Sequence, residues 1–207
     1  MPLVRKPAPA SSGAVPAITG ILEGLTSSSE EARWAAARAA AGTPECAAPL
    51  AAALRIEAAP RVREAMLTSL ARMGSAGVAG VLPLLRSSDA SLRTGALDAL
   101  QIMIRTAPDL LPPLLEDADA DVRILSCELA RSLPGEEATP LLCNLLRHEP
   151  HPNVCAAAVD VLAEVGQSEA LPVLAACALR FQGTPFLAFA IQVAKDRISR
   201  QPAPTRG

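Results

Sequence analysis

The sequence predicts an all-α fold, an α-solenoid of about six helical hairpins between residues 14 and 200. Three observations predict it. Small and apolar residues recur with a helical period, a 30-residue repeat runs through the chain, and alternating β-branched and aromatic stretches typical of strands are absent. A 30-residue hairpin cannot bury its apolar face alone, so successive copies are expected to stack.

Each repeat is anchored on one residue near the start of the second, or inner, helix of its hairpin. The anchors Arg33, Arg63, Arg93 and Arg123 are 30 residues apart, and Cys155 takes the same position 32 residues later. Small or apolar residues at offsets −1, +3, +4 and +7 from each anchor trace one face of a helix. Proline-containing apolar stretches between these helices predict the outer helices, with residues 15–26 as the first and 168–180 and 184–199 as the last pair.

Polar residues mark where the inner helices begin. Asp89 and Asp119 are expected to be N-caps, and Ser28 with Glu31 has the spacing of a capping box. The anchor arginines are expected to bond turn carbonyls or acidic turn residues of the neighbouring repeat, because a guanidinium is a fork of donors. The acidic residues nearby are Glu57, Asp117 and Glu149.

Two helix starts carry a family resemblance. Asp89-Ala90-Ser91-Leu92-Arg93 and Asp119-Ala120-Asp121-Val122-Arg123 resemble HEAT repeats, most of all the short bacterial type named after phycobilisome lyases. The resemblance implies an armadillo/HEAT-like superhelix with a structural ladder of arginines. It also implies several functions, because such repeats occur in scaffolds, adaptors, chromophore lyases and a hydroxylase, and a fold does not determine a function.

The composition limits the kinds of partner and the compartment that the sequence predicts. The chain has 19 basic and 21 acidic residues, and this near-neutral balance argues against a protein that binds nucleic acid through its phosphates. No apolar run reaches the ~18 residues of a membrane helix, and no secretory signal is recognisable. Five cysteines without C-x-x-C spacing predict reduced core thiols and a cytoplasmic protein. Residues 1–13 and 201–207 are predicted to be disordered tails.

Catalytic chemistry has little support in the sequence. There is no nucleophile motif, phosphate-binding loop or dinucleotide fingerprint. The two histidines, His148 and His151, give a single His-Glu pair with Glu149, too few ligands for the di-iron centre of HEAT-type hydroxylases. We therefore expect no enzyme activity, no metal and no cofactor.

The outward positions of the inner helices form the candidate partner-binding surface. Its members are Trp34, Arg38, Glu64, Asp98, Ile124, Glu128, Asp160 and Glu164. The C-terminal half of this set is acidic, which predicts attraction of a basic segment of a partner protein, with Trp34 or Ile124 as apolar anchors. Ordinary solvation of a helix face explains the same charges without any partner.

The last hairpin contains all three phenylalanines, Phe181, Phe186 and Phe189. They predict either a cap that closes the core or an exposed patch that pairs two chains or docks another protein. The function predicted for the whole chain is a non-catalytic protein-interaction scaffold or adaptor. The alternative is a subunit of a bilin lyase or a cofactor-handling assembly.

Overall fold

The computed structural model describes residues 14–200, which contain twelve α-helices, four short 3₁₀ turns and no strand. The predicted tails, residues 1–13 and 201–207, lie outside the described residues. No helix in the described range is both long and apolar enough to cross a membrane.

The described residues up to Leu84 form one compact unit. Its helices are α1 (Ala14–Leu25), α2 (Glu30–Ala39), α3 (Ala47–Ile56), α4 (Pro60–Ala71) and α5 (Ser75–Val81). The inner helix α2 packs against its own outer helix α1 and against the next inner helix α4, while the outer helix α3 packs against α4 and α5. Short connections between α1 and α2 and between α3 and α4 make these pairs helical hairpins.

The described residues from Leu85 onward form the second unit. Its helices are α6 (Ala90–Thr106), α7 (Leu111–Leu115), α8 (Ala120–Ala130), α9 (Gly135–His148), α10 (Pro152–Val165), α11 (Leu171–Arg180) and α12 (Pro185–Arg200). Each inner helix contacts the next inner helix, from α6 through α8 and α10 to α12, and α9 contacts α11 on the outer side. The all-α solenoid fold class is confirmed, and so are the predicted helices at both ends of the described range.

The apolar stripe predicted from the repeat forms the core. In α4, for example, Val62, Met66 and Leu70 have no exposed surface. All five cysteines are buried and free, as predicted. Adjacent helices approach closely because small residues line their contacts: a Cβ on Gly24 of α1 would lie 2.7 Å from the Cβ of Ala36 in α2.

The helix starts confirm two predicted caps and correct one. Asp89 Oδ1 accepts a hydrogen bond from the Ser91 amide at 2.8 Å, and Asp119 Oδ1 accepts one from Asp121 at 2.9 Å. The capping box at Ser28 is wrong, because the N-cap of α2 is Ser29. The preceding Ser27 hydroxyl accepts the Ser29 amide at 3.2 Å, which places the cap one residue later.

Every anchor arginine bonds the turn that precedes its own helix. The guanidinium donates to the carbonyl six residues earlier, from Arg33 to Ser27 at 3.0 Å, Arg63 to Glu57 at 2.5 Å, Arg93 to Ser87 at 2.6 Å and Arg123 to Asp117 at 2.8 Å. A turn carbonyl that no helix satisfies thus finds a charged donor. The expected bonding of turn carbonyls is confirmed, but these carbonyls lie in the arginine's own hairpin and not in the neighbouring repeat.

Arg33 and Arg123 also reach the turn of the next repeat. Arg33 forms a bidentate ion pair with Glu57, with N–O distances of 2.6 and 3.0 Å, and Arg123 pairs with Glu149 in the same way at 2.8 and 3.0 Å. The two carboxylates are almost fully buried, and each also accepts a turn amide, from Ala59 or His151. The third expected acid, Asp117, instead takes its ion pair from Arg86 at 2.5 Å.

At Cys155 the hydrogen-bond donor comes from the following repeat instead of from the anchor position. Cys155 has no guanidinium to offer the Glu149 carbonyl, and its thiol approaches that oxygen only to 3.6 Å. Arg180, in the turn that ends α11, supplies the missing donor and bonds the carbonyls of Leu146, Arg147 and Glu149 at 2.7, 2.8 and 3.0 Å. The cation therefore comes from the following repeat where the anchor position lacks one.

The buried carboxylates predict an acid-dependent stability. The hydrogen bond from Arg33 lowers the pKa of Glu57. Burial alone would raise the pKa of Glu149, but bonds from Arg123 and the His151 amide outweigh it, so this pKa is also lowered. The stabilisation is complete above the ordinary glutamate pKa of about 4.3 and is lost as pH falls through the lower folded-state values.

In urea titrations we expect Glu149→Gln to lower the free energy of unfolding by about 2–4 kcal/mol at pH 7 and to flatten the loss of stability in acid. An unchanged pH profile would contradict this.

The bonds from Arg180 to three carbonyls predict that this residue stabilises the fold. Arg180→Met removes the donor to three carbonyls and should lower the free energy of unfolding by about 1–3 kcal/mol. Arg147→Met is the matched control, because its exposed side chain lies at the end of α9. Equal unfolding midpoints for the two variants would refute the role given to Arg180.

Candidate functional site

Trp34 lies on α2 with a half-buried ring. The guanidinium carbon of Arg38 lies 4.8 Å from the ring centroid, and that of Arg61 on α4 lies 4.1 Å away. Arg61 also bonds Glu31 at 2.9 Å. Trp34 is therefore held in a cation–π cluster that connects α2 to α4, an arrangement the one-dimensional repeat did not indicate for Arg61.

The first unit presents mixed charges around that ring. Arg38 and Glu64 are both exposed, on α2 and α4, and the Arg61–Glu31 pair is exposed as well. This surface combines an aromatic ring with charges of both signs. It has no acidic excess, in agreement with the sequence, which assigned the acidic character to the C-terminal half.

Three predicted acidic residues of the second unit converge on one cation. Arg131, in the turn that ends α8, bonds Glu128 at 3.2 Å, Asp160 at 3.0 Å and, at still closer range, Glu164. The hydrogen bond that Arg131 donates to Glu164 is the main cause that raises the pKa of Arg131. Arg131 was not among the predicted site residues. The available signal was its position three residues after Glu128, a spacing at which helical side chains meet.

The cluster around Arg131 keeps a net negative charge. Three carboxylates face one guanidinium, and the side chains of Asp160 and Glu164 remain 65% and 47% exposed. Asp98 on α6 adds a further exposed carboxylate to the inner helices of the same unit. We call Asp98, Glu128, Asp160 and Glu164, with Arg131, the acidic face.

Ile124 lies on α8 with a half-buried side chain. It lines a shallow pocket of about 490 Å³ together with Arg86, Arg93, Asp119 and Asp121. The predicted apolar anchor is therefore surrounded by charged groups of both signs.

The phenylalanines do not close the core as a cap. Phe181 is half-buried beneath the Arg180 guanidinium, 4.9 Å from the ring centroid, whereas Phe186 and Phe189 are 52% and 73% exposed. The buried face of α12 consists instead of Leu187, Ile191, Ala194 and Ile198. The helical period that starts at Pro185 turns Phe186 and Phe189 to the outside.

The histidines lie at helix ends. His148 is exposed in the last turn of α9, and His151 is the N-cap residue of α10 without a side-chain capping bond. Glu149 between them is engaged by Arg123. Among residues 14–200 no group of three or more His, Cys, Asp or Glu side chains is arranged to hold a metal ion.

A pair of buried thiols was not anticipated. A hydrogen bond with Cys155 lowers the pKa of Cys177 and raises that of Cys155. Arg180 lies 3.8 Å from the Cys155 sulfur. Cys155 on α10 and Cys177 on α11 are both buried, so this pair belongs to the core.

The solved structures that match this chain share little sequence with it. An engineered protein is 18% identical over 89% of this chain and 99% of its own, with a TM-score of 0.42. A designed armadillo repeat protein is 17% identical over 87% and 99%, with a TM-score of 0.40. The complex of CpcE and CpcF of phycocyanin lyase from Nostoc sp. PCC7120 is 18% identical over 95% and 100%, with a TM-score of 0.38. No curated protein matches the sequence significantly.

The family comparison matches the second unit directly. Residues 107–182 match the model of HEAT repeats, a range that begins just before α7 and ends just after α11. This range includes the Arg123–Glu149 bridge and the acidic residues joined by Arg131. Residues 107–182 are therefore similar to HEAT repeats.

Proposed function

We propose that this protein is a non-catalytic interaction scaffold or adaptor whose acidic face binds a basic segment of a partner protein. The observation that carries the proposal is the convergence of Glu128, Asp160 and Glu164 on Arg131. The HEAT-repeat fold supports it, because this fold is typical of protein-interaction scaffolds.

Preorganisation is the physical advantage of the Arg131 arrangement. Arg131 connects the end of α8 to α10 and restricts carboxylates that would otherwise rotate freely. A partner that binds them then loses less side-chain entropy on association. The excess negative charge attracts lysines and arginines over a longer range and speeds their encounter.

The buried, free cysteines fit a reducing compartment. Thiols stay reduced in the cytoplasm, and all five are free here. The proposed partner is therefore a cytoplasmic protein with an exposed lysine- or arginine-rich segment.

The alternative function, a subunit of a bilin lyase, remains a prediction from the resemblance. Co-expression with a bilin and an acceptor protein tests it, because a lyase yields a coloured covalent adduct.

Neutralising the acidic face should weaken binding of a basic peptide. We expect the triple variant Asp98→Asn, Glu128→Gln, Asp160→Asn to bind a lysine-rich helical peptide roughly 10-fold more weakly than the unmodified protein, as each exposed charge pair contributes a few tenths of a kcal/mol to about 1 kcal/mol. Calorimetry at two salt concentrations measures both the affinity and its ionic part.

A matched control distinguishes the effect of the acidic face on binding from the effect of net charge. The variant Asp109→Asn, Glu116→Gln, Glu137→Gln removes the same net charge from exposed positions outside the inner helices of the same unit. It should bind the peptide like the unmodified protein. Equal loss in both triple variants, with unchanged helical circular dichroism, would defeat the proposed site.

Trp34 provides a second, independent arm of the proposal. If its ring is part of the partner surface, Trp34→Phe should retain binding of the natural partner and Trp34→Ala should reduce it by about 10-fold or more, as for an aromatic hot spot. Urea unfolding of both variants measures how much the loss of the Arg38 and Arg61 contacts destabilises the first unit. Full partner capture by a folded Trp34→Ala variant would restrict the interaction to the acidic face.

A further inference from the structure

The helix α12 has a second face that the core does not use. Leu187, Ile191, Ala194 and Ile198 are buried against the preceding helices. A separate stripe at spacings of three and four residues faces outward, and its members are Phe186, Phe189, Val193, Arg197 and Arg200. Both rings are more than half exposed, Val193 is half-buried, and the two arginines are exposed.

The order of residues along this stripe is self-complementary. Aromatic rings occupy its N-terminal half, guanidinium groups occupy its C-terminal half, and Val193 lies at the centre. Phe186 and Arg200 are equally far from Val193 in sequence, and so are Phe189 and Arg197. An antiparallel pairing of two such helices about Val193 therefore brings each ring of one copy to a guanidinium of the other.

We propose that α12 is a homodimer interface, in which two copies pair antiparallel about a two-fold axis at Val193. Phe186 then stacks with Arg200 of the second copy and Phe189 with Arg197 of the second copy, while the two Val193 side chains meet. Cation–π contacts and burial of the exposed rings supply the attraction. An interface of this kind is isologous, as two-fold symmetry requires.

Charge separation favours a second copy in this orientation. In the antiparallel arrangement Arg197 lies opposite Phe189 of the second copy, so equivalent arginines are about 12 Å apart along the helix axis. That separation exceeds the ~8 Å Debye length at physiological salt. A parallel pairing would place arginine against arginine and is disfavoured.

Sedimentation velocity of the protein over a range of concentrations tests the interface. We expect a reversible dimer, and a double variant Phe186→Ser, Phe189→Ser whose dimer dissociation constant is weakened by roughly 10-fold or more. Ile56→Ser is the matched control, since Ile56 is 87% exposed on α3 and lies outside the stripe. A monomeric unmodified protein, or a double variant that dimerises normally, would overturn the proposal.

Disulfide trapping tests the register itself. Val193→Cys lies on the proposed two-fold axis and should form an intermolecular disulfide under mild oxidation. Ala188→Cys, an exposed position on another face of α12, should not. The five natural cysteines are buried, so the unmodified protein supplies the background. Cross-linking of Ala188→Cys in place of Val193→Cys would contradict the antiparallel arrangement.

The dimer and the acidic face are tested separately. Neutralising Asp98, Glu128 and Asp160 should leave the sedimentation behaviour unchanged, because none of these residues lies on α12. Conversely, the Phe186→Ser, Phe189→Ser variant should still bind the lysine-rich peptide. Failure of one proposal is therefore distinguishable from failure of the other.

Discussion

A guanidinium shared between two turns is the interaction on which the stacking of these hairpins depends. Most of the buried hydrophobic residues are alanines and leucines, and faces built from them would tolerate sliding because their surfaces are nearly uniform. Arg33 and Arg123 restrict that freedom, since each bonds the carbonyl of its own turn and the buried carboxylate of the next. The same carboxylates accept turn amides, so one acidic residue also shapes the start of the following helix.

Much of this arrangement could be predicted because it repeats at a fixed interval in sequence. The spacing of Arg33, Arg63, Arg93 and Arg123 indicated both the solenoid and the bonding role of the anchors. The role of Arg180 could not be predicted, because it replaces the Cys155 anchor from a helix 25 residues further along the chain. A donor that moves to a different helix breaks the period by which sequence reasoning finds it.

On the candidate surfaces too, the features that repeat in the sequence could be predicted and those that do not repeat could not. The outward positions on the inner helices identified Asp160 and Glu164, but not the cation that joins them, because Arg131 lies at the end of another helix, 29 residues before Asp160. The phenylalanines were recognised as a group, yet whether they close the core depends on the angular phase of α12. Phe186 and Leu187 are adjacent in sequence, and one is exposed while the other is fully buried. The proposed scaffold function depends on the acidic face, and the proposed homodimer depends on the separate stripe on α12.

The most direct test of this account is a double-mutant cycle on Arg33 and Glu57, measured by urea unfolding at neutral pH. The single variants Arg33→Met and Glu57→Gln and the double variant give the coupling free energy of the pair. If a buried guanidinium–carboxylate bridge fixes the packing of successive repeats, the coupling should be about 1–3 kcal/mol. A coupling near zero, with additive losses, would show that apolar packing alone holds the hairpins together.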